Sequence, residues 1–255
     1  MDIKIAVATH KKYWMPEDDV YLPLHVGKAL HEHLELGYTG DNTGDNISEK
    51  NESFCELTGL YWMWKNVQAD YKGLVHYRRH FTKGRLWQDK KLAVFRREDF
   101  VQNFQQADIL LPKLRKYYIE TNESHYVHAH YQKDLQITRQ VIAEQCSEYL
   151  LAYDQQMKRT SAHMFNMMTM RADLFDAYCQ WLFDVLFEVE KRTDIRGYDA
   201  VQRRLYGYLS ELLLDVWLET NSLSYKENSV TFMEPQNWLK KGGKFLLRKF
   251  KGRSC

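Results

Sequence analysis

The chain has 255 residues and a formal charge of +2 at neutral pH; 44% of it is hydrophobic and 14% aromatic. That length and content support one large domain or two small ones with a substantial core, and exclude global disorder. With only 12 glycines and 4 prolines it is neither collagenous nor of low complexity, and its near-balanced charge gives no ground for non-specific nucleic-acid binding.

The four cysteines (Cys55, Cys146, Cys179 and Cys255) stand far apart with no CxxC pair. They signal neither a zinc site nor a dense disulfide framework. The opening MDIKIAVATH carries too short an apolar run for a secretory signal, and nowhere do about 18 apolar residues run together as a spanning helix requires. A reducing cytoplasm is the expected compartment.

Ile3 to Ala8 reads as a short strand buried on both faces, with Thr9, His10 and Lys11 at its carboxyl end. Such an end forms either a wall of a nucleotide pocket or a plain loop start. Residues 37–52, GYTGDNTGDNISEKNE, are a loop rich in turn formers. Asp41, Asn42, Asp45 and Asn46 supply oxygen ligands, but the terminal glutamate of a calcium-binding EF-hand is missing at its spacing, so a substrate-contacting turn is preferred. Phe54, Leu57, Leu60, Tyr61 and Trp64 then recur at helical spacing over Glu52 to Val67 and are read as core.

The stretch Tyr71 to Phe81, YKGLVHYRRHF, is the most informative. A β-prone run delivers His76, Arg78, Arg79 and His80 to one strand end. Guanidinium suits an anion because its planar fork donates paired hydrogen bonds and keeps its charge. In open α/β sheets, ligands sit outside the carboxyl ends of the strands. A solvated basic turn, or arginines paired with structural carboxylates, is the alternative.

Gln106 to Pro112 predicts another buried strand, and Lys113 to Tyr118 a basic, aromatic connector. His125, His128 and His130 follow. Their spacing permits metal ligation but lacks a supporting carboxylate or cysteine pattern, so acceptor or phosphate contact, or ordinary surface histidine, is favoured. A helical stretch spans Asp134 to Met157. His163 to Met170 fits a central strand whose polar Asn166 needs partners, as a structural centre or a ligand contact. Leu174 to Val189 is strongly amphipathic, and a second long helix is predicted from Asp199 to Leu218. At about 100° per residue, Arg204 and Glu211 lie roughly 20° apart on the border of its apolar face. From Trp238 to Arg253, bulky apolar residues interleave with seven basic ones and no acidic one. That pattern favours an anionic membrane surface over a solubilising tail.

The motifs DNTGDNISEKN (41–51), ELTGLYWMWKN (56–66), GLVHYRRHF (73–81), DILLPK (108–113), HMFNMMTM (163–170), YCQWLFDVLFE (178–188) and GYLSELLLDVW (207–217) together resemble a family of bacterial capsular and exopolysaccharide biosynthesis proteins. That family was long described as a domain of unknown function, and several members are assigned as galactofuranosyltransferases. The resemblance covers about residues 3–218. It implies an α/β fold: a single Rossmann-like A-type glycosyltransferase (GT-A) domain with a mixed central sheet over residues 1–235, followed by the basic tail, 236–255.

The resemblance also implies transfer of a sugar from a UDP-sugar to a lipid-linked oligosaccharide at the inner face of the cell membrane. In that picture Thr9, His10, Asp41, Asn42, Asp45, Asn46, His76, Arg78, Arg79, Asn166 and Arg204 contact the nucleotide sugar, and His125 and His130 the acceptor. Glu211 is the first choice of general base and Asp199 the second, with inversion expected. Many such enzymes hold Mn2+ or Mg2+ on an Asp-x-Asp at a strand end. The comparable position here reads His76-Tyr77-Arg78-Arg79, so a divalent metal is not favoured as cofactor and the cations take over the electrostatic task. The rival readings are a metal-dependent phosphoester hydrolase or nucleotidyltransferase and a non-catalytic carbohydrate-binding module. No nucleic-acid-binding motif appears.

Overall fold

The computed structural model describes residues 1–84 and 89–234; the basic tail expected over 236–255 lies outside the described residues. Strand β1 (Ile3–Thr9) is the near-continuous apolar run, and β2 (Tyr21–His25) and the short β3 (Thr39–Gly40) add to its edge in parallel. Helices α1 (Asn51–Phe54) and α2 (Leu57–Asn66) lead into β4 (Tyr71–His76), which pairs in parallel with β1, and into the short antiparallel β5 (Arg79–Phe81). After α3 (Arg97–Phe104) come β6 (Ile109–Pro112) and the outlying β7 (Arg115–Lys116). Helices α4 (Asn122–Val127), α5 (Gln132–Gln145) and α6 (Leu150–Lys158) follow, then β8 (Ser161–Ala162), which pairs with β7. Strand β9 (Met168–Arg171), the long helices α7 (Ala172–Arg192) and α8 (Leu205–Thr220), and strands β10 (Lys226–Asn228) and β11 (Val230–Phe232) complete the described chain.

The central sheet runs in the order β10-β6-β9-β4-β1-β2-β3, with β5 and β11 paired off the side of β4. Strand β9 is antiparallel to both its neighbours, so its amino end meets the carboxyl ends of β4 and β6. Glycine at 73 permits the β4–β9 contact, since a Cβ there would stand 2.6 Å from the Met168 carbonyl oxygen. Alternation along the strands divides the core. Ala6, Ala8, Leu74, Ile109 and Met168 pack with α2, α7 and α8 on one face, while Ile5, Val7, Val75 and Leu110 pack with Phe100 and Phe104 of α3 on the other.

Three elements differ from their sequence expectation. The helix predicted over 52–67 is broken at Cys55, whose φ of 53° starts α2 on a new axis. The strand predicted over 163–170 is interrupted by a left-handed turn at Phe165 (φ 81°) and Asn166 (φ 50°), leaving β8 before it and β9 after it. The helix predicted from Asp199 opens instead with a 3-10 turn, Gln202–Arg204, whose first amides are held by the Asp199 carboxylate.

Candidate active site

The carboxyl edge of the sheet opens into a cleft of about 880 Å³. Strand β1 and the residue after it contribute Thr9 and His10 to its wall, β4 and the turn after it His76 and Arg78, β5 Arg79, and β7 Arg115. The α1–α2 break supplies Cys55 and Glu56, the 3-10 turn before α8 supplies Arg203 and Arg204, and the first half of α8 supplies Tyr208 and Glu211. Arginines outnumber the lining carboxylates Glu52, Glu56 and Glu211, so the cleft focuses positive potential although the chain as a whole is nearly neutral.

Glu56 and Glu211 converge on the left-handed turn. Glu211 Oε1 accepts the Phe165 amide at 2.9 Å, and Glu56 Oε1 accepts Asn166 Nδ2 at 2.8 Å. Asn166 Nδ2 also donates to the Gly207 carbonyl at 3.0 Å, and its Oδ1 accepts the Ser210 hydroxyl. His76 Nε2 donates to the Phe165 carbonyl, so both backbone groups of Phe165 are engaged. Asp215, one turn beyond Glu211 on α8, accepts the His163 backbone amide at 2.9 Å and its Nδ1. Glycine at 207 lets α8 come this close, because a Cβ there would stand 3.2 Å from the Cys55 side chain. Left-handed backbone at a bulky residue such as Phe costs on the order of 1–3 kcal/mol and persists only where surrounding bonds over-determine it.

Burial is the largest cause of a Glu211 pKa raised to about 7, the Glu56 charge adds to it, and the Phe165 amide, Arg79 and Arg115 oppose it. Arg79 has the complementary problem. Its guanidinium lies 4.5 Å from the Phe165 ring centroid, its Nε is buried without a hydrogen-bond partner, and burial lowers its pKa. Arg204 Nε donates to Cys55 Sγ at 3.2 Å, while Arg78 reaches Glu234 at 3.4 Å. His10, facing Tyr77 edge-on, has its pKa lowered by burial and then by Lys11, Arg78 and Arg204. A cleft of this kind can hold a polyanion at the guanidiniums and take a proton at Glu211.

Residues 4–222 match the family described as a domain of unknown function (DUF4422). The chain belongs to this family. Among solved structures it is similar to the apo structure of WbbM, a bifunctional glycosyltransferase, at 31% identity and a TM-score of 0.85. The match covers 92% of this chain but 46% of WbbM, so the chain spans about half of that protein's length. No curated protein matches. The fold is therefore the mixed α/β, GT-A-like one.

Of the residues singled out from the sequence of this family member, Thr9, His10, His76, Arg78, Arg79, Arg204 and Glu211 line the one cleft, and Asn166 lies buried directly beneath it. Others lie outside its lining. Asp41 is wholly buried, where its carboxylate accepts the amides of Gly27 (2.9 Å) and Lys28 (3.1 Å) and the hydroxyls of Ser48 and Thr58. Asp45 accepts the Tyr61 hydroxyl, Asn46 folds back on its own loop, and Asn42 is exposed. Asp199 caps the 3-10 turn before α8. His125 and His128 both donate Nδ1–H to the buried Glu120 at 2.9 Å. His130 donates to Gln202 and packs 4.2 Å from the Tyr208 ring. Glu56, like Glu52, is a cleft carboxylate that the sequence did not single out, and it alone of the two bonds to the left-handed turn. Its only signal is its place at the head of the motif ELTGLYWMWKN.

A divalent metal does not fit this strand end well. Among the described residues no three His, Cys, Asp or Glu side chains gather as a ligand set, and the end of β4 presents the guanidiniums of Arg78 and Arg79, whose charge repels a cation. Among the described residues, too, no helix is long and apolar enough to cross a membrane.

Proposed function

We propose that the protein is a glycosyltransferase that moves a sugar from a UDP-sugar to a lipid-linked oligosaccharide in bacterial surface-polysaccharide synthesis. By the resemblance of its motifs the sugar is galactofuranose. The observation that carries the reading is the pairing, across one cleft at the carboxyl edge of the sheet, of a guanidinium cluster with a carboxylate whose pKa is raised to about 7. The 31% identity to a bifunctional glycosyltransferase supports it.

In this reading Arg78, Arg79 and Arg204 bind the donor diphosphate, and their charge stabilises the nucleotide as it leaves. An acceptor hydroxyl attacks the anomeric carbon from the opposite side. The C–O bond to the diphosphate breaks with its electron pair, and the hydroxyl proton passes to Glu211. The anomeric centre inverts. Glu211 suits the role because a base works best with a pKa near the working pH. Glu56 and Asn166 hold the turn whose amide orients it. Catalysis by Asp199 would need its carboxylate released from the amides of Val201 and Gln202.

The test is turnover of UDP-galactofuranose and UDP-galactopyranose with a lipid-linked acceptor by wild type and Glu211→Gln. We expect turnover to fall by about a hundredfold or more with donor affinity kept, the scale of a lost general base. A loss under tenfold would remove Glu211 from the role. Donor binding without turnover in the wild type would favour a carbohydrate-binding module.

A further inference from the structure

The short ladder of β7 and β8 ends in a feature that the cleft chemistry does not use. The Ile119 amide donates to the Tyr117 carbonyl at 2.8 Å across Tyr118, whose φ is 64°. That is a γ-turn of the rare, strained hand, built on a tyrosine where glycine or asparagine would be unstrained. The turn presents two bulky side chains to solvent: Tyr118 is 81% exposed and Ile119 65%. Its base is rigid. Tyr117 is buried and stacked 4.0 Å from the His125 ring, its amide donates to Thr160, and Glu120 is buried between His125 and His128.

The surroundings of this tip are basic. Lys113, Arg115 and Lys116 are exposed on its own strand side, and Lys158 and Arg159 on the adjoining β8 side. The facing acids are Glu123, exposed on α4, and Glu219, which pairs with Arg159. Arg115 also lines the cleft, so the tip stands beside its mouth.

We propose that Tyr118 and Ile119 form a wedge that enters the headgroup region of an anionic lipid bilayer, with the surrounding lysines and arginines on the lipid phosphates. A ring with a polar hydroxyl prefers that interfacial depth, and basic side chains add attraction near an anionic surface. A wedge beside the cleft mouth would set the cleft against the membrane and bring a lipid-linked acceptor to it. The inference rests on the proposed function for that purpose and on the turn alone for its geometry.

The experiment is co-sedimentation of the full chain with phosphatidylcholine vesicles, with and without phosphatidylglycerol, together with amide hydrogen exchange over 113–120. Wild type is expected to partition onto the anionic vesicles and to show slowed exchange in that segment. Two variants separate wedge from collar: Tyr118→Gly with Ile119→Ser, which relieves the strained backbone and so keeps the fold, and Lys113→Glu with Lys116→Glu. Each should weaken partitioning about tenfold while leaving nucleotide-sugar binding intact. Unchanged partitioning in the first variant, or exchange over 113–120 that vesicles do not slow, overturns the wedge. So does a raised KM for a soluble glycan acceptor with vesicle binding kept, since Tyr118 would then be a sugar platform. Vesicle binding through the tip with no transfer to any acceptor would leave the wedge standing and sink the transferase reading.

Discussion

On the proposed mechanism, Glu211 is the residue at which stability and activity pull in opposite directions. Unfolded, its carboxyl ionises near its ordinary 4.5; folded, near 7, because burial and the Glu56 charge disfavour the anion. Between those values the native state keeps a proton that the unfolded state has lost. Stability is therefore greatest below the lower value, falls as pH rises through the window, and is level above it. Glu211→Gln removes the ionisable group while keeping an acceptor for the Phe165 amide. The variant should be more stable than wild type at pH 8, on the order of 1–3 kcal/mol by linkage, and little changed at pH 4. Equal denaturation midpoints at pH 8 would show that Glu211 carries no burial penalty. The rate has the opposite sign, since a base must be ionised, and kcat/KM should rise with pH through a single ionisation near 7. Glu56→Gln removes the like charge beside Glu211, so the same limb should move to lower pH. It should also weaken the tie to Asn166 Nδ2. A limb that stays in place would mean that Glu56 does not face Glu211 as a charge.

At the scale of elements, the loops either side of the cleft are held by buried polar centres, and one of them can be tested by itself. Asp41 accepts from Gly27, Lys28, Ser48 and Thr58, tying the end of β2, the loop after β3 and α2 into one wall. Asp41→Asn replaces one acceptor oxygen with a donor that must face another donor. The expected cost is about 2–4 kcal/mol, the scale of breaking a buried charge-assisted network, read as a lower urea midpoint. Donor affinity of the folded protein should be nearly unchanged; a large loss of affinity without loss of stability would instead make Asp41 a ligand contact. Turn-forming residues read alike in sequence whether their carboxylates face inward or outward, which is why DNTGDN pointed to substrate. The strands were legible because β1 and β4 are apolar on both faces, and α7 because its stripe is continuous. The break at Cys55 was not, since Phe54, Leu57, Leu60 and Tyr61 keep a helical period straight across it. That break turns Glu56 into the cleft. The left-handed turn at Phe165 and Asn166 was hidden likewise inside an apolar run; Asn tolerates such backbone, but nothing in a phenylalanine announces it.

For the whole molecule, the decisive property is that a nearly neutral chain sets five guanidiniums, those of Arg78, Arg79, Arg115, Arg203 and Arg204, at one sheet edge beside the carboxylates Glu56 and Glu211. A ligand that satisfies the Arg79 Nε and spreads charge over Arg78 and Arg204 binds only the folded state, so it must raise the melting temperature by mass action. At a hundred times its Kd the gain is about 2.7 kcal/mol, and for a domain of this size that corresponds to roughly 5–10 °C. UDP and UDP-sugars should give this shift, and inorganic phosphate a smaller one. Raising salt toward 1 M shortens the screening length from about 10 Å to about 3 Å and should weaken binding at the exposed Arg204, and at Arg78 with its side chain 42% exposed, more than at Arg79, whose Nε is buried. Arg78→Ala should therefore lose much of its effect at high salt, while Arg79→Ala keeps it. The chelator arm decides which group neutralises the diphosphate. A shift that persists in EDTA assigns the task to the arginines. A shift that appears only with Mn2+ returns it to a metal, and the carboxylates Glu56 and Glu211 would then have to be tested as ligands rather than as a base and its neighbour.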